Sequence, residues 1–210
     1  MLHTTFRKAR KAKACIASYK KIAKALGGIG KYGRDTPIPL DKILEVCGLQ
    51  DALWSLRIVL EPADREIRLL ACDYTERVLP LFEKEFPEDR RPRRAIEVTR
   101  LFADGQATKD ELGAAAKAAK AAVAAAETAA WAAAETAKAT WTANVAVWTA
   151  ADVAAEAAWA AKAAAWAAAI TTEAAAWAIT WAADTAAWVA TEATEREWQK
   201  QRLLDMLNAF

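Results

Sequence analysis

Histidine is nearly missing from this chain: His3 is the one imidazole in 210 residues. That removes imidazole acid–base chemistry and leaves too few ligands for the usual zinc sites. Cysteine is scarce too. Cys15, Cys47 and Cys72 are odd in number, widely spaced and set in apolar helical surroundings, which suits reduced thiols and argues against a disulfide framework. No Gly-rich phosphate loop, no GxSxG and no HExxH occurs. What remains is carboxylates, amines and guanidinium groups on helices, so the expectation is a non-enzymatic protein without cofactor or metal.

All seven glycines and all six prolines lie at or before Gly113, so the last 97 residues hold neither of the strong helix breakers. Their absence predicts long helix. Long apolar runs are missing as well. The charge-free windows of the alanine-rich half reach only 13 residues, Ala139 to Ala151, whereas a bilayer requires roughly 18 to 20. The charged N-terminus lacks the apolar stretch of a signal peptide. A cytoplasmic protein with no membrane partner is expected.

Acid is absent from residues 1 to 34, which carry ten Lys/Arg, while the remainder holds 19 bases against 27 acids, a balance of −8. This basic arm suits an acidic partner, and that partner is either the chain's own acidic body or an external polyanion.

Composition divides the chain into residues 1–36, a basic amphipathic helix and loop; 37–106, a small helical domain; and 107–210, an Ala/Trp-rich helical segment. Apolar positions recur at helical spacing from Phe6 to Leu26, closed by Gly27-Gly28, and predict one helix followed by a loop from Gly30 to Pro39. Gly48, Pro62 and Pro92 punctuate short helices, and Pro80 is expected to kink or split the helix that contains it. Thr108 and Glu111 have the spacing of a capping box, which marks a helix start. His3 sits in an end expected to fray. The fold class is all-α.

From Thr140 the sequence reads in eleven-residue blocks. The fifth block position holds Asn144, Ala155, Trp166, Trp177 and Trp188, the ninth Trp148, Trp159, Ile170, Trp181 and Glu192, and later blocks open on Lys162, Glu173 and Asp184. Eleven residues make three turns at about 3.67 per turn, so the tryptophans share a stripe with almost no supercoiling. Alanine fills 42 of the 77 positions from Ala114 to Ala190, favouring helix and close approach of neighbours. A stripe of wet indoles would be insoluble, so Trp148, Trp159, Trp166, Trp177, Trp181 and Trp188 are expected to pack or to stack planar rings. Two forms satisfy this: a homo-oligomeric coiled-coil rod roughly 150 Å long, or a bundle folded back near Asn144/Thr149 or Thr171-Thr172.

Two charged groups are candidate contacts. Asp73, Glu76 and Arg77 lie near one helix face, with Asp73 and Arg77 spaced for an i, i+4 pair; an inter-helix network with Arg57 or Arg65 is the plain reading and a binding pocket the other. The second is Arg90, Arg91, Arg93 and Arg94 at a helix entrance, suited to phosphate or carboxylate, though Glu88 and Asp89 beside it weaken a nucleic-acid reading.

The segments Ile38-Pro-Leu-Asp-Lys-Ile-Leu, Gly48-Leu-Gln-Asp-Ala-Leu-Trp-Ser-Leu-Arg57, Asp64-Arg-Glu-Ile-Arg68-Leu-Leu-Ala-Cys-Asp73 and Phe86-Pro-Glu-Asp-Arg-Arg-Pro-Arg-Arg-Ala-Ile-Glu97 resemble the immunity proteins found near polymorphic-toxin loci and similar phage reading frames. The alanine-rich tail is usual there. The resemblance implies a protein of toxin or host–virus conflict and assigns no catalytic residue. On that basis the expected partner is a protein toxin or defence effector, neutralised by stoichiometric binding, with Arg57, Arg65, Arg68, Arg77 and the arginine cluster as contacts. Alternatives are a sponge for a small signalling nucleotide held between indoles, and a structural helical scaffold.

Overall fold

The computed structural model describes the backbone of residues 1–139, 145–169, 172–189 and 192–210, and the side chains among them except those of 133–152, 170–172 and 187–193. The described residues are overwhelmingly helical. The order is β1 (His3–Thr4), α1 (Phe6–Lys11), α2 (Ile16–Ala25), α3 (Ile29–Tyr32), β2 (Ile38–Pro39), α4 (Leu40–Cys47), α5 (Leu49–Ser55), α6 (Asp64–Glu85), α7 (Arg91–Ala103), α8 (Lys109–Ala139), α9 (Val145–Ala167), α10 (Thr172–Val189) and α11 (Glu192–Asn208). The two strands form one short antiparallel ladder, His3 opposite Pro39 and Thr4 opposite Ile38.

Several local expectations change. The single N-terminal helix is two. The Thr5 hydroxyl caps α1 by accepting from the Lys8 N–H at 3.1 Å. The helix closes with Lys13 N–H on the Arg10 carbonyl and Ala14 N–H on that of Ala9, a Schellman pattern that places Lys13 at φ 58. That left-handed position ordinarily belongs to glycine, so the stop carries no sequence signal. His3 does not fray: its backbone N–H and Nδ1 both meet the Glu61 carboxylate, at 2.8 and 2.7 Å. The Gly30–Pro39 loop contains most of α3 as well as β2. Helix α6 runs unbroken through Pro80. Pro80 lies on the exposed face, where water can take the Glu76 carbonyl that loses its donor.

Other signals hold. Gly48 turns the chain from α4 into α5 at φ 96, a conformation that needs glycine. Pro92 stands in the first turn of α7. The capping box forms in full, with Thr108 N–H donating to Glu111 Oε2 at 2.7 Å and Glu111 N–H to Thr108 Oγ1 at 3.2 Å.

The alanine segment folds back as a bundle. Helix α9 packs against α6, α7, α8 and α10, and α6 also meets α7, α10 and α11. Helices α8 and α9 lie on either side of Asn144, and α9 and α10 on either side of Thr171, both outside the described residues, whereas Thr149 falls within α9 and Thr172 opens α10. From Ala157 to Ala168 every alanine is buried, which requires neighbours all round the helix rather than along one stripe. A continuous cluster of buried apolar side chains runs from Leu2 and Phe6 through Leu53, Ile67 and Phe82 to Ala161, Ile179 and Leu203.

Candidate partner-binding site

Helix α6 brings Arg68 and Arg77 to different tasks. Arg68 is 1% exposed. Its Nε donates to Asp64 at 2.8 Å, its Nη1 to the Ala169 carbonyl at 2.6 Å, and the guanidinium lies 5.1 Å from the Phe102 ring centre. Helix α9 has no glycine to close it, and Arg68 satisfies a carbonyl just beyond its end. Arg77 pairs with Glu195 of α11 at 2.5 Å and covers the Trp198 ring.

The i, i+4 pair of Asp73 with Arg77 does not form. Asp73 instead accepts from Arg100 of α7 at 2.8 Å and from Arg202 of α11 at 2.6 Å. Burial works against the Arg100 cation, yet its hydrogen bonds to Glu76 and Asp73 outweigh that and hold its pKa raised. The network is inter-helical, but Arg57 and Arg65 are not in it. Arg57 lies between the Trp54 and Trp177 rings, 4.5 and 3.9 Å from their centres, with its pKa lowered by burial. Arg65 pairs with Asp104 at 2.7 Å.

Beneath this network Tyr74 donates to the Gln199 carbonyl at 2.5 Å and Gln199 Nε2 to that of Ala183 at 2.9 Å. Burial pushes the Tyr74 phenol well up and the Cys72 thiol to about 12. Tyr74, Glu195, Gln199 and Arg202 were not singled out from sequence. Gln199 and Glu195 at i, i+4 spacing are the one local trace of them.

The arginine cluster stays at the surface. Asp89 accepts from Arg91 Nε and Nη2 at 2.8 and 2.6 Å, and Glu83 from Arg93 Nε and Nη2 at 2.5 and 2.6 Å. These hydrogen bonds hold both carboxyls below their ordinary range and raise both arginines. Arg94 makes an open pair with Glu97 at 3.2 Å, the two side chains 65% and 49% exposed. Arg90 meets no carboxylate at ion-pair distance among the described residues. The four arginines line an open cleft of about 790 Å³ with Glu88, Asp89 and Glu97, floored by Ala115 and Ala118 of α8. Two arginines are thus held by carboxylate forks while Arg90 and Arg94 face outward.

The tryptophans do not share one environment. Trp166 and Trp181 pack on the core and on each other at 5.4 Å, while Trp159 and Trp177 stay 43% and 42% exposed. The side chains of Trp148 and Trp188 lie outside the described residues. Among the described residues no group of three or more His, Cys, Asp or Glu is gathered to hold a metal ion, and no helix is long and apolar enough to cross a membrane.

Fold and site together define an all-helical bundle with a mixed-charge arginine cleft. The chain belongs to the family described as Imm-5 like putative immunity protein, whose family model matches residues 60–206. That span contains the arginine cleft, α6 and nearly all of the alanine helices. No curated protein and no solved structure matches the chain.

Proposed function

We propose that the protein neutralises a protein toxin or defence effector by stoichiometric, non-enzymatic binding, with Arg90 and Arg94 as the leading contacts. The supporting observation is the family match together with a cleft in which two outward guanidinium groups stand among fixed charges of both signs. Such a pattern suits a protein surface, where charge alternation gives specificity and speeds association. It suits a uniform polyanion less well, because Glu88, Asp89 and Glu97 would repel it. Arg65 and Arg77, half exposed, are secondary contacts; Arg68 is enclosed and acts through the fold.

The test is growth rescue by co-expression with candidate protein toxins. Titration to an endpoint at a fixed molar ratio is expected, whereas rescue by catalytic traces of the protein would refute stoichiometric binding. Exchanging Arg90 and Arg94 for glutamate should weaken the complex about a hundredfold without changing the circular dichroism. Undiminished rescue by that variant would move the interface elsewhere.

A nucleotide sponge is the second reading. A cavity of about 270 Å³ is lined by Trp159, Trp181, Asp184 and Thr185. Among the described residues the buried Trp181 indole N–H has no hydrogen-bond partner, and Lys162 lies 5.1 Å from that ring's centre. Quenching of tryptophan fluorescence by a cyclic dinucleotide, lost in Trp181→Phe, would support it.

A further inference from the structure

The first 34 residues build a second groove on surface that the arginine cleft does not use. It has a volume of about 780 Å³, with Arg10, Lys13, Lys20 and Arg34 on its rim and Ile16 and Tyr19 along its floor. A hollow of about 400 Å³ that shares Arg10, Tyr19 and Arg34 extends it toward Arg7. No acid occurs in these 34 residues. Asp35 stands just beyond them and is taken by Arg7 at 2.5 Å. Among the described residues no carboxylate pairs with any of the four rim cations, so no described acid of the chain neutralises them.

The floor decides between polyanions. A single strand of nucleic acid is held by aromatic rings left free to stack on bases. Here Tyr19 and Tyr32 are both turned edge-on against Phe6, at 5.2 and 6.1 Å. What stands free is aliphatic: Ile16 is 71% exposed at the start of α2. Lys13 adds an independent sign. It occupies the left-handed position that closes α1, where glycine would cost less, and its side chain lines the groove. Local strain kept where it sets a functional group is a pointer to function.

We propose that this groove docks an acidic segment of a partner protein that carries an aliphatic side chain between its carboxylates. The ammonium and guanidinium rim takes the carboxylates, and Ile16 takes the aliphatic anchor. The groove lies wholly before residue 60, where the family match begins, so it stands or falls apart from the neutralisation reading.

Fluorescence anisotropy on the full chain tests it, with three labelled probes: a peptide of repeated Glu-Glu-Leu units, a peptide of glutamate alone, and a thymidine oligonucleotide. The leucine-containing peptide should bind most tightly and weaken as salt is added. It should lose about tenfold with either Arg10→Glu or Lys20→Glu, and a similar factor with Ile16→Ser. Lys13→Gly separates binding from folding, because it should weaken the peptide while raising the unfolding temperature.

Cys15 gives a direct footprint. It is exposed beside Ile16, and hydrogen bonds from the Ser18 and Ala17 backbone lower its pKa. Bound peptide should slow its alkylation. Tighter binding of the oligonucleotide, absence of peptide binding, or peptide affinity indifferent to the charge reversals would each overturn the proposal. So would a dimer that dissociates in Arg10→Glu, which would give the groove to a second copy.

Discussion

The two halves of the molecule both hold fully buried side chains, and they are packed by opposite means. Before Gly113 the core is made of large side chains: Phe6, Leu53, Ile67, Tyr74 and Phe82 are each 1% exposed or less. After it the described core is mostly alanine, with Ala160, Ala161, Ala163 and Ala164 at 0% and only a few large side chains such as Ile179 and Leu203 among them. A large side chain contributes by the apolar area it hides, on the order of 2 to 3 kcal/mol each. An alanine contributes little of its own and acts by letting a neighbouring helix come near, so its worth lies in what it leaves out. The first kind of core fails when emptied and the second when filled.

Exchanging sizes across the two halves is therefore the sharpest way to break the comparison. Phe82→Ala should destabilise by about 4 kcal/mol through the cavity it leaves. Ala161→Leu should cost about 3 kcal/mol by forcing α9 from its neighbours, whereas Ala124→Leu, on the exposed side of α8, should change stability by no more than about 0.5 kcal/mol. Urea denaturation of the three variants reads all of these. Equal tolerance of leucine at positions 124 and 161 would mean that α9 is not enclosed.

Because alanine helices offer each other little beyond proximity, polar groups from the first half fix them in place. Arg68 is the most enclosed of these, and Arg68→Met should cost about 3 kcal/mol by removing the donor that the Ala169 carbonyl accepts from. Amide hydrogen exchange should show the added opening concentrated at the C-terminal end of α9. A uniform increase over the whole chain would instead indicate loss of packing rather than loss of an end cap.

The punctuation of the first half was open to reading because its signals are local. Gly48, Pro92 and the Thr108/Glu111 box each act within one turn of where they stand, and each did what its spacing implied. Arg68 is legible in the sequence only as a charge on a helix, which suits a partner contact as well as a structural one. Its acceptor is a backbone carbonyl 101 residues away, and a carbonyl is the same at every position. Asp73 is legible as a member of an inter-helix network but not by its partners, for a related reason: the sequence shows the arginine at i+4, but not the arginines that α7 and α11 bring from residues 100 and 202. The Arg90 to Arg94 cluster, by contrast, is readable in place, as is Asp89 two residues from the Arg91 it holds; tertiary contact adds the second fork, from Glu83 of α6 to Arg93.

Smaller effects sharpen the same contrast at the seam between the halves. Trp177 of α10 stacks on Arg57, with Trp54 on the other side, so Trp177→Phe should cost about 1 kcal/mol by weakening a half-desolvated cation–π contact. Arg57→Met in the Trp177→Phe background should then cost less than in the wild type, a coupling that a double-mutant cycle measures. Additive costs would show that the stack is mere proximity.

The smallest expected effect belongs to the forked pair of Glu83 and Arg93, which joins α6 to α7 within the first half. Hydrogen bonds from Arg93 hold the Glu83 carboxyl below its ordinary value of 4.5. The folded state therefore binds its proton less readily than the unfolded state. The pair's contribution is complete above the ordinary glutamate range and is lost as pH falls through the lowered folded value. The side chains keep 38% and 28% of their surface in water, which limits the contribution to about 0.5 kcal/mol. Wild type and Glu83→Gln should differ in stability by that amount at pH 7 and converge in acid, and the gap should shrink in added salt. A gap that persists unchanged below the folded value would assign the effect to packing of the side chain rather than to its charge.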